Sequence, residues 1–205
     1  MSIFRILATK PWERNEASLG DLHGGGELSL PTQKIGLFVF LSVVTVLFGL
    51  IAAANVMRMK FGDWQPLTDP QMLWVNTGVL AFSSLALQWA SVSARRQNLK
   101  GLKIGFFLGG VLAVAFLAGQ ILVWRNLIDS GHVVLGNSAN GFFYMITAIH
   151  GLHLLGGLWA WGKSAVRIGR GVEIRELRLG VELCTLYWHF LLLVWLGMFA
   201  LLLRT

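Results

Sequence analysis

Apolar residues along this chain fall into five long blocks, at about residues 35–57, 72–94, 104–124, 140–161 and 181–203, with short polar stretches between them. Together the five blocks contain one charged side chain, Glu182. Each block is about 21 to 23 residues long, enough for an α-helix rising 1.5 Å per residue to cross a hydrocarbon core. The pattern predicts an all-α, polytopic membrane protein with five transmembrane helices. Residues 1–33 are different in kind, being polar, mixed in charge and interrupted by Pro11, Pro31 and the Gly24-Gly25-Gly26 run. They read as a polar cytoplasmic N-terminal arm, flexible or surface-lying, rather than as a cleavable signal. The predicted organisation is therefore an arm over 1–33 and a five-helix membrane domain over 34–205.

Composition agrees, since 55% hydrophobic and 13% charged residues are too apolar a mixture for a soluble domain. A net charge of +7 raises the question of nucleic acid, but the placement of the cations answers it. Arg5, Lys10, Arg14 and Lys34 precede the first block, Arg95, Arg96, Lys100 and Lys103 follow the second, and Lys163, Arg167, Arg170, Arg175 and Arg178 follow the fourth. The three opposite regions hold only Arg58 and Lys60, Arg125, and Arg204. This is the positive-inside asymmetry, and it predicts a cytoplasmic N-terminus and a C-terminus on the periplasmic side. No soluble segment carries the interleaved bases and aromatics of a nucleic-acid interface. The single cysteine, Cys184, excludes an internal disulfide and reads as a small packing residue.

Helices in lipid associate through close packing at small residues and through interhelical hydrogen bonds. Gly101, Gly105 and Gly109, spaced by four, form a flat stripe suited to a neighbouring helix, either within this chain or on another subunit. Asn76, Ser83, Ser84 and Gln88 lean to one side of the second helix, but Leu80 and Leu87 interrupt that side, so they read as interhelical hydrogen-bonding groups rather than a channel lining. Trp64, Trp74, Trp124, Trp159 and Trp161 lie near block ends, the expected place for headgroup-level anchors.

The polar groups that should cost most in a bilayer are His150 and His153, in HGLH, and His189, in YWHF. Counted from the cytoplasmic ends, His153 and His189 reach similar depths, which would allow a haem clamped between two helices. His150 and His153 share a helix face, which would allow a metal site. Neither has supporting residues nearby, and the favoured reading is that neutral imidazoles hydrogen-bond across helices or to lipid headgroups, with no metal bound. Glu182, near the cytoplasmic end of its block, is expected to pair with a loop arginine such as Arg178 one turn away. Acid-free helix centres and the lack of paired inverted repeats argue against a pump or transporter.

The string Phe143-Tyr144-x-x-Thr147-x-x-His150-Gly151-Leu152-His153, followed by Gly156-Gly157, resembles the signature of subunit III of the haem-copper terminal oxidases (the cytochrome c oxidase subunit III family). Glu182, Tyr187, Trp188, His189, Phe190 and Trp195 resemble that family's final helix, and Trp74, Asn76, Thr77, Ser83 and Ser84 resemble its WxNT…SS helix. Gln120 is similar to a glutamine of the next one. The likeness spans about residues 34–203 and is to the shorter, five-helix members. It implies a cofactor-free subunit, without catalytic residues, in the inner membrane of a bacterium, packed against oxidase subunits I and II. The haems and copper then sit in those partners, with cytochrome c or quinol as electron donor to the complex; a nitric oxide reductase-associated homologue is a further alternative. The resemblance also implies bound phospholipid and support of proton uptake during aerobic electron transport. His150, His153, Glu182 and His189 are expected to form a structural polar cluster facing lipid or a partner, and Gly101, Gly105, Gly109, Asn76, Ser83 and Ser84 to pack helices. Three positions depart from the family's pattern: Val43 and Val44 follow Ser42 where a buried glutamate is frequent, Val123 stands three residues after Gln120 in place of another, and Leu192 replaces an aspartate after the WHF motif.

Overall fold

A computed structural model describes residues 32–61, 71–131 and 137–203, and one compact unit begins at Leu37. Arm residues 1–31, including Arg5, Lys10, Trp12 and Arg14, and also Trp64, lie outside the described residues. Among the described residues there are five helices: α1 (Thr32–Arg58), α2 (Gln71–Arg95), α3 (Leu99–Asp129), α4 (Ser138–Gly169) and α5 (Ile174–Leu202). Their order matches the five apolar blocks. Several run on past the blocks, most clearly α4, which continues from Trp161 to Gly169. Lys163 and Arg167 end an apolar stretch but are good helix formers, so the backbone ladder stops only where a cap stops it.

Two of those caps build the turns at one end of the bundle. After α4, Gly171 takes φ 75°, its N–H reaches the Ile168 carbonyl, and the Val172 N–H reaches back to the Arg167 carbonyl. After α2 the same pair of bonds forms from Gln97 to Ala94 and from Asn98 to Ser93, with Gln97 at φ 57°. Both are Schellman closures, the second with glutamine where glycine is the usual occupant. Asn98 then caps α3, its side chain accepting from the Gly101 N–H at 3.1 Å.

Helix α2 packs against both α3 and α5, and α4 closes the bundle against α3 and α5. Helix α1 adds an outer layer: Val44, Phe48 and Ile51 pack with Ile146 of α4 and Met198 of α5, while Val43, Val46, Leu50 and Met57 face outward. Helices α1, α3, α4 and α5 are each long and apolar enough to cross a membrane. Helix α2 falls short in apolarity because its inner face is polar: Asn76, Thr77, Ser83, Ser84, Ser91 and Ser93 are all buried, whereas Trp74, Val75, Phe82 and Leu85 are exposed. That inversion suits a helix whose outer side meets lipid.

Candidate functional site

The polar side chains of α2 form a seam of hydrogen bonds to its two neighbours. Asn76 donates to the Gln120 side chain of α3 at 3.2 Å, and Ser83 donates to the Gly109 carbonyl of α3 at 2.7 Å. Toward α5, the Trp195 indole N–H donates to the Thr77 hydroxyl at 2.9 Å, and the Thr185 hydroxyl lies 3.1 Å from the Leu87 carbonyl. Between these levels sits His189, with Nδ1 hydrogen-bonded to Ser84 and Nε2 3.0 Å from Gln88 Oε1. The Nε2–H tautomer satisfies both bonds: Ser84 donates to Nδ1 and the ring donates to Gln88. At the far end Arg95 of α2 and Arg178 of α5 both donate to Glu182 Oε1, each at 3.1 Å.

His150 and His153 lie on the other side of the bundle. His150 is buried among Phe48, Phe116 and Trp195, with ring centroids 6.4, 5.9 and 5.0 Å away, and neither ring nitrogen has a hydrogen-bond partner among the described residues. His153, half-buried, is held by Nδ1 against the Ile149 carbonyl at 2.8 Å and flanked by Phe40 and Phe48 of α1. Its own carbonyl accepts from the Tyr187 hydroxyl at 2.9 Å, which ties α4 to α5.

The four expected polar residues thus occupy three stations: His150 and His153 of α4 beside α1, His189 of α5 against α2, and Glu182 at the ion pair with Arg95 and Arg178. The rings of His153 and His189 turn toward different helices, so they do not face each other across a haem-sized gap. Among the described residues no three His, Cys, Asp or Glu side chains gather closely enough to hold a metal ion.

The glycine stripe packs within the chain. A Cβ on Gly105 would come within 2.8 Å of the Ala86 carbonyl oxygen and 2.9 Å of the Ala90 nitrogen, and one on Gly109 would meet Leu87, so α3 approaches the α2 backbone at these two residues. Gly101 lies against Ser93. Two tryptophans expected at headgroup level also hydrogen-bond to neighbouring helices. Trp124 donates to Thr147 at 3.0 Å, and Trp161 donates to the Phe106 carbonyl at 2.9 Å while lying over Gly110. Trp74 and Trp159 are exposed, the latter with Lys163 Nζ 3.5 Å from its ring centroid. Sequence reasoning missed Arg95 as a partner of Glu182, since only the fold brings residues 87 positions apart together. It also missed the bond of Trp161 to the Phe106 carbonyl; the small residue beneath the indole, Gly110, was the available signal.

Between α1, α4 and α5 lies an open, largely apolar cavity of about 510 Å³. Leu37, Phe40, Gly156, Trp159, Cys184 and Tyr187 are among its walls. The positions that depart from the family's acids are hydrocarbon: of the two residues after Ser42, Val44 is buried and Val43 exposed, Val123 is buried, and Leu192 packs against the core.

Such a fold, with apolar residues outward and polar ones spent on joining helices, is that of an all-α polytopic membrane protein. The chain belongs to the cytochrome c oxidase subunit III family, whose profile matches residues 33–203. It is 29% identical over 174 residues to a probable cytochrome c oxidase subunit 3 of Nocardia farcinica, covering 82% of this chain and 85% of that protein. It is 28% identical over 179 residues to the cytochrome c oxidase subunit 3 of Thermostichus vulcanus, with the same coverage of 82% and 85%. To the cytochrome c oxidase subunit 3 of a Synechocystis species it is 30% identical over 188 residues, 87% of this chain and 76% of that one. Membership makes this chain part of a bacterial, membrane-bound oxidoreductase complex.

Proposed function

We propose that this chain is an accessory subunit III of a bacterial respiratory cytochrome c oxidase, packed against subunits I and II, which stabilises the catalytic subunit and carries no redox group of its own. The N-terminal arm is cytoplasmic, the chain crosses the inner membrane five times, and the C-terminus is periplasmic. The positive-inside asymmetry supports the orientation, and the outward-apolar, inward-polar construction of α2 supports the fifth crossing. The observation that carries the reading is the α2 seam. Asn76, Thr77, Ser83, Ser84, Gln88 and His189 are committed to one another and to neighbouring helices, as expected of groups whose task is assembly rather than chemistry. The α1/α4/α5 cavity is the place we assign to a phospholipid acyl chain, because a 510 Å³ apolar opening to the membrane admits hydrocarbon at little cost. Support of proton uptake then proceeds without an acid at Val43 or Val44, Val123 and Leu192 of this chain.

The test is an oxidase prepared with and without this subunit. The reading predicts the same haem content and initial oxygen consumption in both, with activity lost over successive turnovers only when the subunit is missing. Loss of haem together with the subunit would contradict it.

A further inference from the structure

A helix surface that meets hydrocarbon can carry a polar side chain only if its donors and acceptors are matched. On α1 the outward-lying hydroxyls obey this, since Ser42 and Thr45 donate to the Phe38 and Leu41 carbonyls of their own helix at 2.9 and 2.8 Å. Gln88 of α2 does not. It is exposed, and it stands seven positions before Arg95, two turns or about 10 Å inside the charged end of the helix. Its Oε1 accepts from His189 at 3.0 Å, but its amide Nε2, with two N–H donors, has no hydrogen-bond partner among the described residues.

Gln88 belongs to a continuous outer face along the α2/α5 seam. Phe82, Leu85 and Trp89 of α2 and Leu186, Leu193 and Leu196 of α5 are all exposed on it, with half-buried His189 at the join. A Cβ on Gly78 or Gly197 would meet nothing within 4 Å, so the face has open notches where another backbone can come close. At its charged end, Arg95 and Arg178 share the Glu182 carboxylate, two cations against one anion. Gln88 and Arg95, seven residues apart, lie on the same side of α2.

We propose that this face receives a transmembrane helix of a neighbouring subunit, one that offers a hydrogen-bond acceptor to the Gln88 amide and a carboxylate to Arg95. To meet both, that helix carries the two groups about seven residues apart on one side. The contact at Gln88, inside the hydrocarbon, holds the helix. The carboxylate contact at headgroup depth stays wet and sets register more than affinity. A lipid fits less well, because its ester oxygens lie outside the hydrocarbon core, two turns from Gln88. A second copy of this chain, related by a twofold axis along the membrane normal, would bring the surplus cations of the two charged corners together. The inference rests on the accessory-subunit reading and deepens it, by naming the face used and the chemistry the neighbour must carry.

The test uses the tagged full chain in its native membrane, with a photo-cross-linking amino acid at Leu85 or Leu193 on the face, or at Leu50 of α1 or Val111 of α3 as exposed controls. After irradiation and purification, Leu85 and Leu193 should be joined to one transmembrane segment of a partner subunit. That segment should hold an acceptor and a carboxylate about six to eight residues apart, and the controls should not reach it. Q88M keeps the length of the side chain and removes its amide. It should raise the apparent dissociation constant of that partner about three- to thirty-fold, the range for one interhelical hydrogen bond. R95Q should have a smaller effect, seen at low salt and lost at high salt. The cross-links remove no polar group, so they decide the matter should Q88M fail to fold. Cross-links from Leu85 and Leu193 only to lipid, or only to a second copy of this chain, would overturn the proposal. So would partner subunits that co-purify but are reached only from Leu50 or Val111. Purification with no other subunit at all would instead overturn the accessory-subunit reading itself.

Discussion

The Trp195 indole of α5 donates to the Thr77 hydroxyl of α2 at 2.9 Å, and that hydroxyl in turn donates to the Leu73 carbonyl one turn back, at 2.7 Å. Trp124 and Thr147 repeat the arrangement between α3 and α4, with Thr147 bonding the Phe143 carbonyl at 2.8 Å. A threonine that bonds its own helix keeps a lone pair for a neighbour's N–H, so one hydroxyl serves two helices. T77V removes the acceptor and leaves a buried indole N–H unpaired, at about 1 to 2 kcal/mol. T77S should recover most of this. Thermal release of the subunit from the purified complex, compared across the three proteins, reads the difference.

The glycines should separate sharply by position. G105A drives a methyl into the α2 backbone and should cost about 1 to 3 kcal/mol through helix displacement. G156A, whose Cβ meets nothing within 4 Å, should be tolerated. Subunit yield in membranes and its retention through purification check both; equal behaviour would contradict the packing described for α2 and α3.

Glu182 holds two arginines whose side chains are 59% and 51% exposed, so its pairing is screened by water and salt. E182Q should therefore lower thermal stability only slightly, by less than about 1 kcal/mol per pair, and the difference from the unsubstituted protein should shrink as salt is raised. A large, salt-independent loss would mean that a partner subunit buries this corner.

Gln97 holds a left-handed backbone that costs an ordinary residue roughly 1 kcal/mol relative to glycine. Q97G should raise stability by up to that amount, because the turn keeps its hydrogen bonds and loses its strain. Thermal unfolding of the purified subunit measures it directly.

How far the sequence could be read follows the same physics. The five helices were legible because charge is excluded from hydrocarbon, and each block is as long as a bilayer is thick. Their ends were not, since Lys163 and Arg167 interrupt hydropathy without interrupting backbone hydrogen bonds. Ser83, Ser84 and Asn76 were readable as interhelical groups, because an unpaired polar side chain in lipid is costly; their partners Gly109, His189 and Gln120 were not, as partner choice is tertiary. The side chains of Trp124 and Trp161 look like interface anchors by position, and their hydrogen bonds to Thr147 and Phe106 are visible only in the fold. For the site itself, His150, His153, His189 and Glu182 each stand out in the sequence as polar groups in apolar blocks, but their separation into three stations depends on which face each helix turns inward.

The most direct measurement is purification through a tag on this chain in mild detergent, followed by a reduced-minus-oxidised difference spectrum and mass spectrometry of what accompanies it. Haem bands and catalytic oxidase subunits should co-purify, and both should be lost in harsher detergent, leaving this chain colourless. A chain that keeps a Soret band when purified alone would contradict the assignment of His150, His153 and His189 to structural roles.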